Sequence, residues 1–514
     1  MDSGRTSGEK CQVATSRVNL PKPMLTLSLC LSLLAIAAGT ALRLLHLSDL
    51  SFNNDELYNM YHVGNLERGF AEFIAPFLTW EIHPPLSHLA LYGWSLSAGM
   101  SEFAIRLPGA LMGCVTLYFV YRIAQAVFDE ETALYAAVFS ALCFPLISLS
   151  RMASFHGWNI FFSTLSVWLG LRLLAAGAPT LHTRLLSVVY GVTLVCMGYV
   201  HYFGMFFALF QVGVFYWLHP TTVARRRMRN LLLLCLASFA PWWPIMLGQY
   251  SNLATHDYDR SLGSLPLGNL LWYFFNSSVV LLLLSVMTVA AAAVQLWKTR
   301  RQTTTRLVAN RLKLIALLAL GPIIVVYTYC HFGQSLWKNH YFGFTFPFLT
   351  ILGAAGLSFV GSRYLKMIFL SALCGTSLIQ IVNGEYMARY PIRVDLRGMI
   401  DFVAAEPHAC AYLNHSWNSF NFDFYLKRNG VHDPLYLIGN GQLGRLATDD
   451  GILELDRRVV ESGRRCLWFL NTYNPPSPRL TAYLNERFVA VRKGSFARAE
   501  AVLYQQKNGA DGVQ

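Results

Sequence analysis

The chain has 514 residues, of which 54% are hydrophobic and only 13% are Asp, Glu, Lys or Arg. Soluble globular chains carry about 25% charged residues, so a soluble enzyme, a disordered chain and a disulfide-stapled secreted domain are all excluded. The 41 Lys and Arg outnumber the 28 Asp and Glu, giving +13. In a membrane protein such a surplus sets the orientation of cytoplasmic loops, so it does not argue for nucleic acid as a partner.

Taken in order, residues 1–23 are polar and hold Arg5, Lys10, Arg17 and Lys22, which predicts a cytoplasmic N-terminal tail. The first span is expected at about 24–45; without a small-residue cleavage site after it, it reads as a retained helix. A first outer loop follows at 46–102. Within it Pro85 to Gly99 is apolar, but it is shorter than the ~20 residues that cross a bilayer, and it contains His88. If it crossed, every later basic cluster would face the wrong side, so it is expected to lie along the outer interface. Inward spans are then expected at 103–126, 157–177, 202–219, 269–297 and 342–361, and outward ones at 132–149, 185–200, 230–248, 313–331 and 365–384. Basic clusters at Arg172 and Arg184, at Arg225, Arg226, Arg227 and Arg229, at Lys298 to Lys313, and at Arg363 and Lys366 fix that alternation. The expectation is a polytopic α-helical membrane protein of about eleven helices over 24–385, with its N-terminus inside.

Residues 386–514 lose the long apolar runs. Short β-like runs (411–413, 434–437, 466–470, 488–491, 501–504) alternate with helix-like stretches such as Asp395 to Ala405, which predicts a small C-terminal extracytoplasmic α/β domain. Cys410 and Cys466 each begin a predicted strand and could pair on an oxidising face, although two strand starts need not be neighbours. Cys30, Cys114, Cys143, Cys196, Cys235 and Cys374 sit in apolar runs and read as small core residues.

The same alternation puts Asp55, Glu56, Glu81, His83, Arg106, Arg151, His156, His201, Lys338 and His340 at or near the outer face. Ionisable groups beside a membrane are costly and suggest a functional site. Asp55-Glu56 follows the first span, and a carboxylate partly desolvated by the membrane can act as general base; the plain alternative is a helix N-cap at Asp55. In Glu81-Ile82-His83-Pro84-Pro85-Leu86 the prolines start a helix, and a helix N-terminus with a histidine beside it suits phosphate. Arg151 and Lys338 could hold phosphate oxygens, or simply anchor at the interface. His201 could ligate a metal, bind phosphate or be structural, and Glu81, His83 and His201 could together hold a divalent cation.

The order of these boxes carries a resemblance. An Asp-Glu pair after the first span precedes His-Pro-Pro-Leu at 83–86 and Ser-Glu-Phe-Ala-Ile-Arg-Leu-Pro at 101–108. An Arg-containing turn at Ser150-Arg151 follows, then His-Tyr-Phe-Gly at 201–204 and His-Tyr-Phe at 340–342. Over about 25–385 this resembles the GT-C superfamily of polyprenyl-phosphate-sugar-dependent glycosyltransferases, the protein O-mannosyltransferases and bacterial lipid A aminoarabinose and galacturonic acid transferases among them. The α/β tail is similar to that of many bacterial members. The resemblance implies Asp55 as catalytic base with Glu56 its partner. It also implies His83, Arg106, Arg151, Lys338 and His340 near the donor phosphate.

Two positions depart from those relatives. Ile82 stands where the aminoarabinose enzymes have Glu, so a metal ligand there requires Glu81 to substitute. His340 stands where many bacterial relatives have Arg, which shifts phosphate contact toward Lys338. The implied partners are a polyprenyl-phosphate-sugar lipid donor, membrane lipids, and a glycan, lipid or protein acceptor. The implied location is a bacterial inner membrane with the site facing the periplasm. The competing class is a lipid-linked-sugar flippase, but neither pseudo-symmetric halves nor midplane charges are seen. The absence of a dinucleotide or nucleotide fingerprint fits an outer-face enzyme whose donor is a lipid.

Overall fold

A computed structural model describes residues 22–79, 81–176, 180–218, 222–255, 265–276, 278–299, 303–333, 335–382, 394–405, 410–415, 420–437, 446–472 and 475–507. The expected cytoplasmic tail falls almost wholly outside them. Eight helices among these residues are long and apolar enough to cross a membrane, and two bent pairs bring the number to ten. The remaining expected span coincides with the shorter apolar helix Tyr202–Leu218. The Pro85–Gly99 run forms the 13-residue helix Leu86–Ala98, too short to be counted as a span.

The expected span at 132–149 is not continuous. Glu130–Leu142 and Phe144–Ser150 meet at Cys143 with a 58° bend. Pro145 has no N–H and cannot bond back to the carbonyl of Ala141. A buried arginine from the first helix, Lys22–Leu44, serves the break instead. Arg43 Nη2 donates to Ser140 O at 3.0 Å, and Nη1 to Ala141 O at 3.5 Å and Gly39 O at 2.9 Å. Bonds from a charged donor contribute about 1.5–3 kcal/mol each, against roughly 2.5–3.5 kcal/mol for holding an arginine in a membrane helix. Arg43→Met is therefore expected to destabilise the protein by about 2 kcal/mol, seen as a lower thermal midpoint in detergent. An unchanged midpoint would mean that the bend needs no outside donor. The expected span at 269–297 is likewise broken, into Pro266–Phe274 and Val279–Thr299.

The chain divides into two compact units. The first contains the described residues of Met1–Leu45, Ala71–Ser97 and Arg106–Tyr386. Its core is a continuous apolar cluster through Val120, Ala136, Val167, Leu194, Phe207, Phe215, Leu318, Phe348 and Ile351. The second contains His46–Phe70, Ala98–Ile105 and the described residues of Met387–Gln514, so parts of the first outer loop fold with the tail.

In the second unit, strands β1 (Ala411–His415), β2 (Cys466–Thr472), β3 (Phe488–Phe496) and β4 (Ala499–Gln506) form one sheet in the order β1-β2-β4-β3. β1 and β2 run parallel, and the other neighbours antiparallel. Leu413, Leu467, Phe469 and Val502 face helices Asp449–Ser462 and Pro478–Arg487 through Leu455, Leu480 and Leu484. The run 434–437, expected as a strand, makes only a single bridge, Tyr412 with Tyr436. Parallel pairing of Ala411 with Leu467 brings the preceding residues side by side, and Cys410 and Cys466 are disulfide-bonded with Cα atoms 4.8 Å apart.

At the carboxyl end of β1, buried His415 shares a 2.7 Å hydrogen bond between Nδ1 and Asn471 Oδ1. Burial outweighs that bond and holds the imidazole below its ordinary range. Its contribution is therefore fully present above the usual histidine value of ~6.5 and lost as pH falls below it. Amide protection factors in β1 and β2 of the full-length protein, corrected for the intrinsic exchange rate, are expected to fall between pH 7 and pH 5, and less so in His415→Gln. Equal pH slopes in the two proteins would contradict this.

Candidate active site

In the first unit the segment Glu81-Ile82-His83 is tied around one carboxylate. Glu81 is fully buried. Its Oε1 accepts Ile82 N–H at 2.7 Å, His83 N–H at 2.7 Å and the His83 ring at 2.8 Å through Nδ1. A carboxylate only accepts, so Nδ1 carries the proton and the ring is aimed by Glu81. Pro84 and Pro85 have no N–H to satisfy, so the chain passes directly into helix Leu86–Ala98.

Three other imidazoles and two aromatic rings gather around His83. Phe155 stacks on His201 with centroids 4.1 Å apart and lies 4.9 Å from His83, while His83 and His201 are 5.3 Å apart. His156 is 5.2 Å from His340, and Tyr341 is 5.3 Å from His201. Phe155 and His156 open helix Phe155–Ala175. His201 is the extended residue between helices Leu181–Val200 and Tyr202–Leu218. His340 and Tyr341 sit in the 3-10 turn Asn339–Thr345.

Two close approaches make the arrangement possible. A Cβ on Gly157 would lie 3.1 Å from Gly109 O, so helices Glu102–Val127 and Phe155–Ala175 touch backbone to backbone there. A Cβ on Gly204 would lie 2.4 Å from Met197 O, so glycine lets the chain fold back tightly after His201.

The protonation pattern limits what this cluster can hold. Phe203 N–H donates to His201 Nδ1 at 3.0 Å. Burial, then the neighbouring imidazoles of His83 and His340, hold His201 well below the usual histidine range. Neutral His201 with Nδ1 accepting must carry its hydrogen on Nε2, and so presents a donor. Glu81 Oε1 is already taken by three N–H groups and His201 offers an N–H, whereas His83, with its Nδ1 hydrogen on Glu81, presents Nε2 to the cluster. The His201 N–H suits an oxyanion, and His83 does so when its ring carries a second proton on Nε2.

The remaining residues expected near phosphate fall in different settings. Arg106 is buried in helix Glu102–Val127, and Lys338 is exposed just ahead of the His340 turn. Arg151 Nη1 donates to Leu42 O at 2.8 Å, Arg43 O at 3.3 Å and Leu45 O at 2.6 Å. It closes the carboxyl end of the first helix.

Asp55 and Glu56 belong to the second unit and have separate jobs. The N-cap is Asn53, not Asp55: Asn53 Oδ1 accepts Asp55 N–H at 2.9 Å and Glu56 N–H at 3.1 Å. Glu56, almost fully buried, returns Oε2 to Asn53 N–H at 3.0 Å and Nδ2 at 2.8 Å. This reciprocal pair is a capping box at the start of helix Asn54–Arg68. Asp55 stands in the first turn with its side chain exposed. Sequence reasoning passed over Phe155, and it counted His156 only among the outer-face charges. The vicinal Phe-His pair at the start of an apolar helix was the available signal.

Residues 82–245, about a third of the chain, match the family model of dolichyl-phosphate-mannose-protein mannosyltransferases. No curated protein matches the chain in sequence. Among solved structures the chain is similar to ArnT from Cupriavidus metallidurans in the apo state, with 12% identity and a TM-score of 0.58 over 94% of this chain and 98% of that one. ArnT bound to undecaprenyl phosphate gives 13% identity and a TM-score of 0.56, covering 96% and 100%. The archaeal oligosaccharyltransferase AglB from Archaeoglobus fulgidus, in complex with an inhibitory peptide and a dolichol-phosphate, gives 12% and 0.53, covering 96% and 76%. At such identities the likeness is one of fold, and the apolar helices make the chain a multi-pass membrane protein.

Proposed function

We propose that this chain is a membrane glycosyltransferase of the GT-C kind, which moves a sugar from a polyprenyl-phosphate donor to a hydroxyl of an extracytoplasmic acceptor. The observation that carries the reading is the coincidence of the mannosyltransferase match at 82–245 with the stretch holding His83, Phe155, His156 and His201. In this reading Asp55 takes the acceptor proton as the acceptor oxygen bonds to the anomeric carbon. The bond from that carbon to the phosphate oxygen breaks, and polyprenyl phosphate leaves. In-line displacement inverts the anomeric carbon. His201 donates toward phosphate through Nε2, and His83 does so through Nε2 in its protonated form, with Arg106, Lys338 and His340 adding cationic or polar character; Arg151 serves there through the helix end it holds. Preorganised donors of this kind act where charge develops on the leaving group. Glu56 acts on Asp55 through the capping box, as a positioning residue.

A bacterial inner membrane with the site on the periplasmic side suits this chemistry, and the Cys410–Cys466 disulfide supports an oxidising compartment for the second unit. The reading is tested with the full-length protein in liposomes, supplied with the polyprenyl-phosphate-sugar and acceptor fractions extracted from the source membranes. Glycosylated acceptor and free polyprenyl phosphate are expected in equal amounts. Donor that crosses the bilayer without releasing polyprenyl phosphate would instead identify a flippase.

A further inference from the structure

We propose that Tyr425, in the C-terminal part of the chain, is a positioning residue for Asp55. The proposal rests on the reading of Asp55 as general base. All the contacts that support it lie inside the second unit.

The segment leading into helix Asn54–Arg68 is fastened at each step. Arg397 Nη1 donates to Ser48 O at 3.0 Å, and its Nη2 to Asp49 O at 3.1 Å. Ser51 Oγ donates to Val394 O at 2.8 Å and accepts Leu396 N–H at 3.2 Å. The Phe52 ring is fully buried, 5.4 Å from Phe424 and 6.4 Å from Tyr425. Phe52 N–H donates to the Tyr425 hydroxyl at 2.7 Å. The next residue, Asn53, is the cap whose side chain holds the backbone N–H of Asp55.

The direction of these bonds is forced. A tyrosine hydroxyl has one proton, and it goes to Glu102 Oε1 at 3.0 Å. The hydroxyl oxygen is then oriented to accept from Phe52. Glu102 is itself almost fully buried and held by Arg397 at 3.1 Å and Arg428 at 3.0 Å. Two guanidinium groups thus keep the carboxylate as a fixed acceptor, the carboxylate fixes the hydroxyl, and the hydroxyl fixes the peptide three residues before Asp55. Hydrogen bonds in such a chain strengthen one another. Tyr425→Phe removes the hydroxyl that links the Phe52 amide to Glu102 while keeping the ring against Phe52 and Phe424.

A misplacement of about 1 Å in a reacting group lowers rate by about 100-fold, so a partly released cap should show in turnover rather than in binding. In nanodiscs, with donor and acceptor fractions extracted from the source membranes, Tyr425→Phe is expected to lower kcat about 10- to 100-fold. The apparent KM for donor should stay within about twofold. Amide exchange across Phe52 to Leu57 should quicken, and the thermal midpoint should fall by only the few degrees that one lost buried hydrogen bond brings. The double variant with Asp55→Asn should be no slower than Asp55→Asn alone, because both act on one step. If Tyr425→Phe folds poorly, Glu102→Gln, which keeps an acceptor for the hydroxyl but removes its charge, should show the same exchange pattern and a smaller kcat loss. An inactive Asp55→Asn beside a fully active Tyr425→Phe or Glu102→Gln overturns the positioning role alone. Multiplying losses in the double variant overturn it as well. A fully active Asp55→Asn removes the base reading, and the positioning role with it.

Discussion

Asp55→Asn is expected to reduce glycosyl transfer by about 100- to 10,000-fold, the range that a positioned general base contributes. The substitution is nearly isosteric, and the local fold does not depend on the charge it removes. The helix start is held by Asn53 and Glu56, and asparagine is itself tolerated where a helix begins. The thermal midpoint should therefore be unchanged while initial rates collapse. Glu56→Ala makes the contrast. It opens the capping box, which is worth about 1 kcal/mol, so it should lower stability and activity together. The initial rate of Asp55→Asn and the thermal midpoints of both variants separate the two roles. Asp55→Asn transferring within threefold of wild type would sink the assignment of Asp55 as base.

The membrane helices were legible because a bilayer imposes a length and a hydropathy that no packing detail can disguise. The breaks inside them were less so. Pro145 alone does not predict a bend at Cys143, since the freed carbonyls need a donor, and that donor is Arg43, about a hundred residues earlier. The second unit was read correctly as α/β from its alternation, yet its partners from the first outer loop were not foreseeable. Ser51 meets Val394, and Glu102 meets Arg397 and Arg428, through contacts some three hundred residues apart in sequence. The Cys410–Cys466 pairing was open until the parallel register of β1 and β2 placed the strand starts together.

The site divides in the same way. Asn53-x-x-Glu56 was a readable capping box, but the adjacent Asp-Glu pair drew the cap to Asp55 instead. His83 and His201 were marked by their boxes, whereas the hydrogen on each ring depends on a particular neighbour, Glu81 for one and the Phe203 amide for the other. Residue type alone does not say which way a ring hydrogen points; His201 aims one at an anion, and His83 does so when its ring is protonated.

That direction carries the second large effect. Protonated His83 is a donor aimed by Glu81, and His83→Ala is expected to lower transfer about 100-fold, because removing one preorganised donor at a developing negative charge costs roughly 10²- to 10³-fold. The loss should lie in kcat as well as in apparent donor KM, since the contact strengthens as the leaving group gains charge. Glu81→Gln should be milder, about tenfold, because the amide still accepts from the His83 ring but no longer as a full charge. It should also loosen the Ile82 and His83 amides, which amide exchange would register. The order matters more than either number. His83 touches the phosphate in this reading and Glu81 only aims it, so Glu81→Gln should add nothing to His83→Ala. Kinetics in which the glutamine variant is the more damaging of the two, with the fold intact, would mean that the buried carboxylate has a role of its own.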